Sequence, residues 1–162
     1  MTSKDKPAAQ PPRPLHDDLH WLFARLARGL GLAEEPVVRR SGLSLRGYVV
    51  LSEIASTPAA TSQLMVATKA MIDKSVIVGL LDELEQAGFV KRTPDPSDRR
   101  TRLLTITGPG KKALLSAQAD VRAVEDRLFT GVTSDQRRTL LEVLRTAARG
   151  GLAATFDTKA AV

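Results

Sequence analysis

Between Phe89 and Thr107 the chain changes its hydrophobic period, and the segments on either side have to fit around that change. Phe89-Val90-Lys91-Arg92-Thr93 and Arg102-Leu103-Leu104-Thr105-Ile106-Thr107 read as short strands. Pro94-Asp95-Pro96-Ser97-Asp98 between them is a turn rich in Pro and Asp. Strand, tight polar loop and strand make a β-hairpin. Elsewhere apolar residues recur three and four positions apart, the spacing of one helix face. The expected fold is therefore mainly α with one small β-hairpin.

The helices follow from stripes and caps. Leu15, Leu19, Leu22, Phe23, Leu26 and Leu30 predict a first helix over about 15–32. Gly29 and Gly31 weaken its end, and Pro36 argues against continuation. Ser44 can cap a second helix with Tyr48, Leu51 and Ile54 or Ala55 inward, ended by Thr57-Pro58. Thr61 or Ser62 can cap a short third helix running to about Thr68. Asp73 is placed to cap a fourth, whose core stripe is Ile77, Leu80, Leu81 and Leu84, with Gly88 as its left-handed terminus. Thr107 caps a long fifth helix to about Phe129, with Leu114, Leu115, Gln118, Val121, Val124 and Leu128 near one face. Thr133-Ser134-Asp135-Gln136 is a capping box that starts a last helix with Leu140, Leu141, Leu144 and Ala148 inward.

Composition narrows the chemistry. The 162 residues hold 24 Lys+Arg against 18 Asp+Glu, a net charge of +6 that points to polyanionic partners. Cysteine is absent, which excludes a disulfide framework, a thiolate metal site and thiol redox switching. No window approaches the ~18–20 apolar residues of a membrane span. The N-terminus lacks the apolar core of a signal peptide, so a cytoplasmic chain without membrane partners is expected. Residues 1–14 hold four prolines and three basic residues against one acid, and are expected to form a flexible basic tail. The only two histidines, His16 and His20, are four apart, a spacing that puts both on one helix face. A metal-dependent hydrolase would also need a third ligand and a catalytic cleft, neither of which is evident, and Asp in place of Glu shortens any general base. No catalytic residue, metal site or cofactor is assigned, and an enzyme is not expected.

Residues 44–106 then read as a helix-turn-helix followed by a hairpin, a winged helix. The geometry suits a DNA duplex. A major groove ~12 Å wide admits one helix, and the helix before it fixes the entry angle. A basic hairpin alongside reaches phosphates or the minor groove. Residues 86–102 carry five basic residues (Lys91, Arg92, Arg99, Arg100, Arg102) against two acids (Asp95, Asp98). Over 61–102 the balance is only seven against six, so contacts must come from placement rather than bulk charge.

The ordered set Val66-Ala67-Thr68-Lys69-Ala70-Met71-Ile72-Asp73-Lys74-Ser75, Leu80-Leu81-Asp82-Glu83-Leu84-Glu85-Gln86-Ala87-Gly88-Phe89-Val90-Lys91-Arg92 and Asp95-Pro96-Ser97-Asp98-Arg99-Arg100 resembles the MarR family of transcriptional regulators. Leu43-Ser44-Leu45-Arg46-Gly47-Tyr48 and the helical layout extend the resemblance to about 15–150. It implies a homodimer whose terminal helices, 15–43 and 107–162, interleave, with two lobes on a pseudo-palindromic operator in double-stranded DNA. It also implies a repressor released by a small phenolic or anionic effector. The expected DNA contacts are Ser62, Gln63, Lys74, Ser75, Val78, Arg99, Arg100 and Arg102. Asp98 is expected to pair with one of the wing arginines.

Two departures stand out. Where the family often has Thr, Thr or Ser, and Arg, this chain has Val76, Val78 and Gly79, and Ser97 stands where a wing-tip Arg is common. Val76 is read as core. Val78 can meet a thymine methyl without a hydrogen bond. These changes keep open a second reading, low-specificity DNA binding or protein interaction without an effector. An effector cleft is expected between the first, second and fifth helices, with His20, Arg46 and Tyr48 lining it. Arg46 serves equally well as a phosphate contact or a surface charge. Trp21 is read as dimer-seam packing.

The wing reading makes one direct prediction. Arg99→Ala with Arg100→Ala should weaken duplex binding and flatten its salt dependence, because lost phosphate contacts release fewer counterions. Unchanged affinity and slope in a salt titration would remove the wing tip from the interface.

Overall fold

The computed structural model describes residues 14–57, 59–98 and 101–149. The expected tail, apart from Pro14, and the stretch after Arg149 lie outside the described residues, as do Pro58, Arg99 and Arg100. The chain divides into two compact units, one ending at Val124 and one starting at Glu125.

In the first unit, one tight turn at Leu15–Asp17 leads into α1 (Leu19–Arg39). Asp18 is extended and its carboxylate accepts the Trp21 N–H at 2.8 Å, so the helix starts four residues later than expected. It also runs seven residues further than expected, through Pro36. The proline removes one backbone donor, but the next two residues, Val37 and Val38, are buried in the core. The Glu35 carboxylate binds Arg39 at 2.7 Å and accepts the Leu45 N–H at 3.0 Å. Packing and capping here outweigh the lost helix bond.

That Glu35 contact also caps α2 (Leu45–Ser56), together with Ser44, whose hydroxyl accepts the Gly47 N–H at 3.0 Å. Val50, Leu51 and Ile54 are buried, Tyr48 is half-buried and Ala55 is exposed. Thr61–Ser62 form a short strand, β1, before α3 (Gln63–Lys69). Ser62 caps α3 by accepting the Met65 N–H at 3.2 Å. The α3 turn passes through Met71 in the left-handed region, φ 52°. Asp73 occupies the N-cap position of α4 (Lys74–Gln86), but its side chain makes no capping bond. Ile77, Leu80, Leu81 and Leu84 are buried, and Gly88 closes the helix at φ 72°.

β2 (Val90–Pro94) and β3 (Arg102–Ile106) pair antiparallel from Val90 opposite Ile106 to Pro94 opposite Arg102. β1 adds to the far edge of β3, giving the order β1-β3-β2. The sheet thus has a third strand that a two-residue segment could not announce by pattern. Val76 packs partly buried against the core, as expected.

α5 (Gly108–Leu128) begins at Thr107, whose hydroxyl accepts the Gly110 N–H at 3.0 Å and donates to the Gly88 carbonyl at 2.7 Å. Leu114, Ala117, Val121 and Val124 are buried. Leu115, expected on that face, is exposed because the 3- and 4-residue steps from Leu114 bypass it, while Leu128, one four-residue step beyond Val124, continues the stripe but is exposed.

The second unit holds the end of α5 and α6 (Ser134–Arg149). The capping box forms in full. Gln136 N–H donates to Thr133 Oγ1 at 3.2 Å, and Thr133 N–H donates to Gln136 Oε1 at 2.9 Å. Arg137 joins the two helices, 2.6 Å from Glu125 and 2.5 Å from Asp126, with its guanidinium over the Phe129 ring. Within the chain, however, no described α6 residue is buried. Leu140 and Leu141 are exposed and Leu144 is half-buried, so the stripe expected to face inward has no cover. No described helix is long and apolar enough to cross a membrane.

Among the described glycines, Gly110 makes the closest approach to another segment. A Cβ there would overlap the Phe89 carbonyl, whose position is fixed by the Thr107 N–H at 3.0 Å. Gly110→Ala should therefore destabilise the protein by ~3 kcal/mol, the upper end for overpacking. An unchanged denaturant midpoint would show that the start of α5 shifts freely.

Candidate nucleic-acid interface

A cavity of about 470 Å³ opens where the ends of three elements converge. Ser62 and Gln63 enter it from the start of α3, Lys74 from the start of α4 and Arg102 from the start of β3, over a floor that includes Ala67 and Ile77. Four of the eight sequence-nominated DNA contacts therefore share one site. Lys74 and Arg102 are exposed, so two cations flank an opening with hydroxyl and amide groups beside it. Such a rim suits a phosphate backbone, which needs placed charges and hydrogen-bond donors.

Ser75 and Val78 lie outside the cavity lining, on the exposed face of α4 with Gly79 and Asp82. The spacing 75, 78, 79, 82 is one helix face, opposite the buried Ile77, Leu80, Leu81 and Leu84. The helix is held by its apolar side, and this polar and small-residue face is left to meet a partner.

The wing turn is internally braced. Asp95 Oδ1 accepts the Ser97 N–H at 2.8 Å and the Ser97 hydroxyl at 2.6 Å. The Ser97 hydroxyl, with its backbone N–H, holds the Asp95 carboxyl below its ordinary 3.8. A lowered carboxyl pKa favours the braced turn above the ordinary value, and that help is lost as pH falls through the lowered one. Ser97, which replaces the expected arginine, thus has a structural task. Asp98 Oδ2 accepts the Thr101 hydroxyl at 2.9 Å. Arg99 and Arg100, and with them the expected pairing of Asp98 to either, lie outside the described residues.

Arg92 has a role that the sequence does not announce. Its side chain is only 22% exposed, and Nη1 lies 2.5 Å from Asp82 Oδ1 and 3.4 Å from Glu85 Oε2. Its backbone N–H donates to Glu85 Oε1 at 3.3 Å. Arg92 therefore ties the hairpin base to α4 and offsets two acids beside the outward face. The partners are seven and ten positions apart and meet only because the chain turns back at Gly88, so no local spacing signals the clamp.

The nominated effector residues are not gathered in this cavity. His20 is exposed in the first turn of α1, Arg46 is exposed at the start of α2, and Tyr48 packs half-buried against the core. His16 and His20 do not share one helix, because the extended Asp18 separates the turn holding His16 from α1. His16 instead lies 3.8 Å from Asp17. Among the described residues no cluster of three metal-ligating side chains occurs. Trp21 is half-buried with Arg25 over its ring at 5.2 Å.

Comparison with known proteins places this geometry. Residues 43–101 match the model of the MarR family. A MarR-family transcriptional regulator from Rhodococcus sp. RHA1 is similar in structure at a TM-score of 0.80 and 33% identity, over 85% of this chain and 97% of that one. CouR from Rhodococcus jostii RHA1, bound to p-coumaroyl-CoA, is 34% identical with a TM-score of 0.75, over 86% of this chain and 97% of CouR. The repressor CouR bound to a 23-mer DNA duplex gives a TM-score of 0.76 at 32% identity, over 83% and 95%. A putative transcriptional regulatory protein for the hcr operon of Thauera aromatica is 35% identical over 60% of this chain, a match that spans 58% of that protein.

The clamp can be tested by duplex binding. Arg92→Gln should lower affinity about tenfold, since Asp82 and Glu85 are left unpaired where DNA approaches. Adding Asp82→Asn and Glu85→Gln to the same chain should restore most of the loss. No loss with Arg92→Gln alone would show that the two acids lie outside the field of the DNA.

Proposed function

We propose that this chain, which belongs to the MarR family, acts as a homodimeric transcriptional repressor that reads a pseudo-palindromic operator and is released by a small ligand. The observation that carries the reading is the shared site of Ser62, Gln63, Lys74 and Arg102, together with the exposed α4 face of Ser75, Val78 and Gly79. In this reading 44–106 is the DNA-binding lobe, while 15–43 and 107–162 form the dimerisation region.

The dimer has separate support in each unit. α1 exposes Leu19, Phe23 and Leu26 along one face. α6 exposes Leu140, Leu141 and Val143. Apolar stripes of this length left to water are the mark of an interface. The similarity to ligand-bound CouR suggests the effector class, an aromatic acid or its CoA thioester. Half-sites one helical turn apart make affinity sensitive to small rotations of the two lobes, so a ligand need only alter their spacing.

A second reading, low-specificity DNA binding or protein interaction without an effector, draws on one observation. The outward face of α4 carries Ser75, Val78, Gly79 and Asp82 and no cation. Anisotropy titration of DNA from upstream of the chain's own gene, against scrambled DNA at two salt concentrations, separates the two. A specificity ratio of ~10³ or more is expected. Equal, steeply salt-dependent binding to both would favour the second reading. Light scattering without ligand should give twice the chain mass, and a monomer at micromolar concentration would overturn the dimer.

A further inference from the structure

Residues 44–106 contain three glycines, and the fold accounts for two of them. Gly88 adopts φ 72°, a backbone that favours glycine. Gly47 sits against Ser44, whose Oγ would lie 3.1 Å from an added Cβ. Gly79 has neither reason. It is inside α4 with no positive φ, it is exposed, and a Cβ built there meets nothing within 4 Å beyond its own helix. A glycine in a helix interior weakens the helix relative to alanine. Here the molecule itself gains nothing in exchange.

The neighbours of Gly79 give the weakness a purpose. Ser75, Val78 and Asp82 share its face, so the outward side of α4 is low in profile across its middle. Val78 is the single large apolar side chain on that face and is 43% exposed. The cations nearby are Lys74, in the first turn of the same helix, and Arg102, which lines the cavity with it, while Asp82 is held by Arg92. A helix shaped this way can seat its backbone close to the base edges while the flanking cations hold the phosphates. The one apolar feature that a major groove offers such a helix is the methyl group of thymine.

We infer that Gly79 and Val78 determine operator specificity, Gly79 by admitting close approach of the α4 backbone and Val78 by packing on a thymine methyl in each half-site. The inference rests on the operator-reading function proposed above. It differs from readout by hydrogen bonds, because it predicts dependence on a methyl group and on the absence of a side chain.

The test uses the full-length chain and a randomised DNA duplex pool. Selection should enrich a site with a fixed thymine in each half. Replacing that thymine by deoxyuracil should weaken binding roughly fourfold per half-site, the worth of one buried methyl group. In Val78→Ala the thymine and uracil sites should bind alike. Gly79→Ala should raise the melting temperature, yet bind the selected site tenfold or more weaker while keeping its affinity for scrambled DNA. An enriched site whose binding ignores both the methyl group and Gly79→Ala would overturn this inference and leave the regulator reading standing. A pool that yields no enriched site at all would overturn both.

Discussion

The Phe89 carbonyl is the point on which the lobe turns. It accepts the Thr107 N–H at 3.0 Å and the Thr107 hydroxyl at 3.1 Å, and Gly110 leaves it the space to do so. Three elements end or begin there: α4 through Gly88, the hairpin at Val90 and Ile106, and α5 at Gly108. The same threonine hydroxyl caps α5 by accepting the Gly110 N–H. One close backbone approach therefore sets where the wing leaves the helix-turn-helix and where the long helix departs. The lobe can present a fixed surface because this junction has little freedom to relax.

Charge is distributed on that frame by neutralisation as much as by accumulation. The lobe carries almost as many acids as bases, so a uniformly positive surface is not available to it. Arg92 is drawn inward by Asp82 and Glu85, and Asp95 is engaged by Ser97. The cations among the described residues that line the cavity are Lys74 and Arg102. Long-range attraction from such a lobe is weak and screened over ~8–10 Å. Discrimination between partners must then come from fit, which is what a braced hairpin and a capped helix supply.

Much of this was legible in the sequence, for identifiable reasons. The α4 stripe, the Thr107 cap, the Thr133–Gln136 box and the hairpin are local signals of a few residues, and each formed where its pattern sits. What escaped were effects of distant contacts. Pro36 does not stop α1 because Val37 and Val38 have a core to enter and Glu35 has a second helix to cap. β1 is two residues long and exists only because β3 offers an edge. The His16 and His20 spacing looked helical, but one extended residue, Asp18, shifts the register between them. Half of the nominated DNA contacts do converge on one cavity, although spacing alone could not show that Gln63 and Arg102 would meet there.

The apolar faces of the terminal helices bear on how the chain works as a whole. Leu26 on α1 and Leu141 on α6 are each more than two-fifths exposed, and α6 buries no described residue at all. Helices of this kind gain little from the water around them, since most helix stability comes from packing an apolar face. Yet α6 starts with a complete capping box and is held to the end of α5 by Arg137 and its two carboxylates. Its direction is thus fixed before any partner arrives, which lowers the entropy lost on docking. A pre-shaped apolar helix in one unit and a lobe of modest charge in the other fit the proposed reading, in which DNA affinity depends on pairing two lobes. In the proposed dimer a second copy would add its own contacts without a second cost of association.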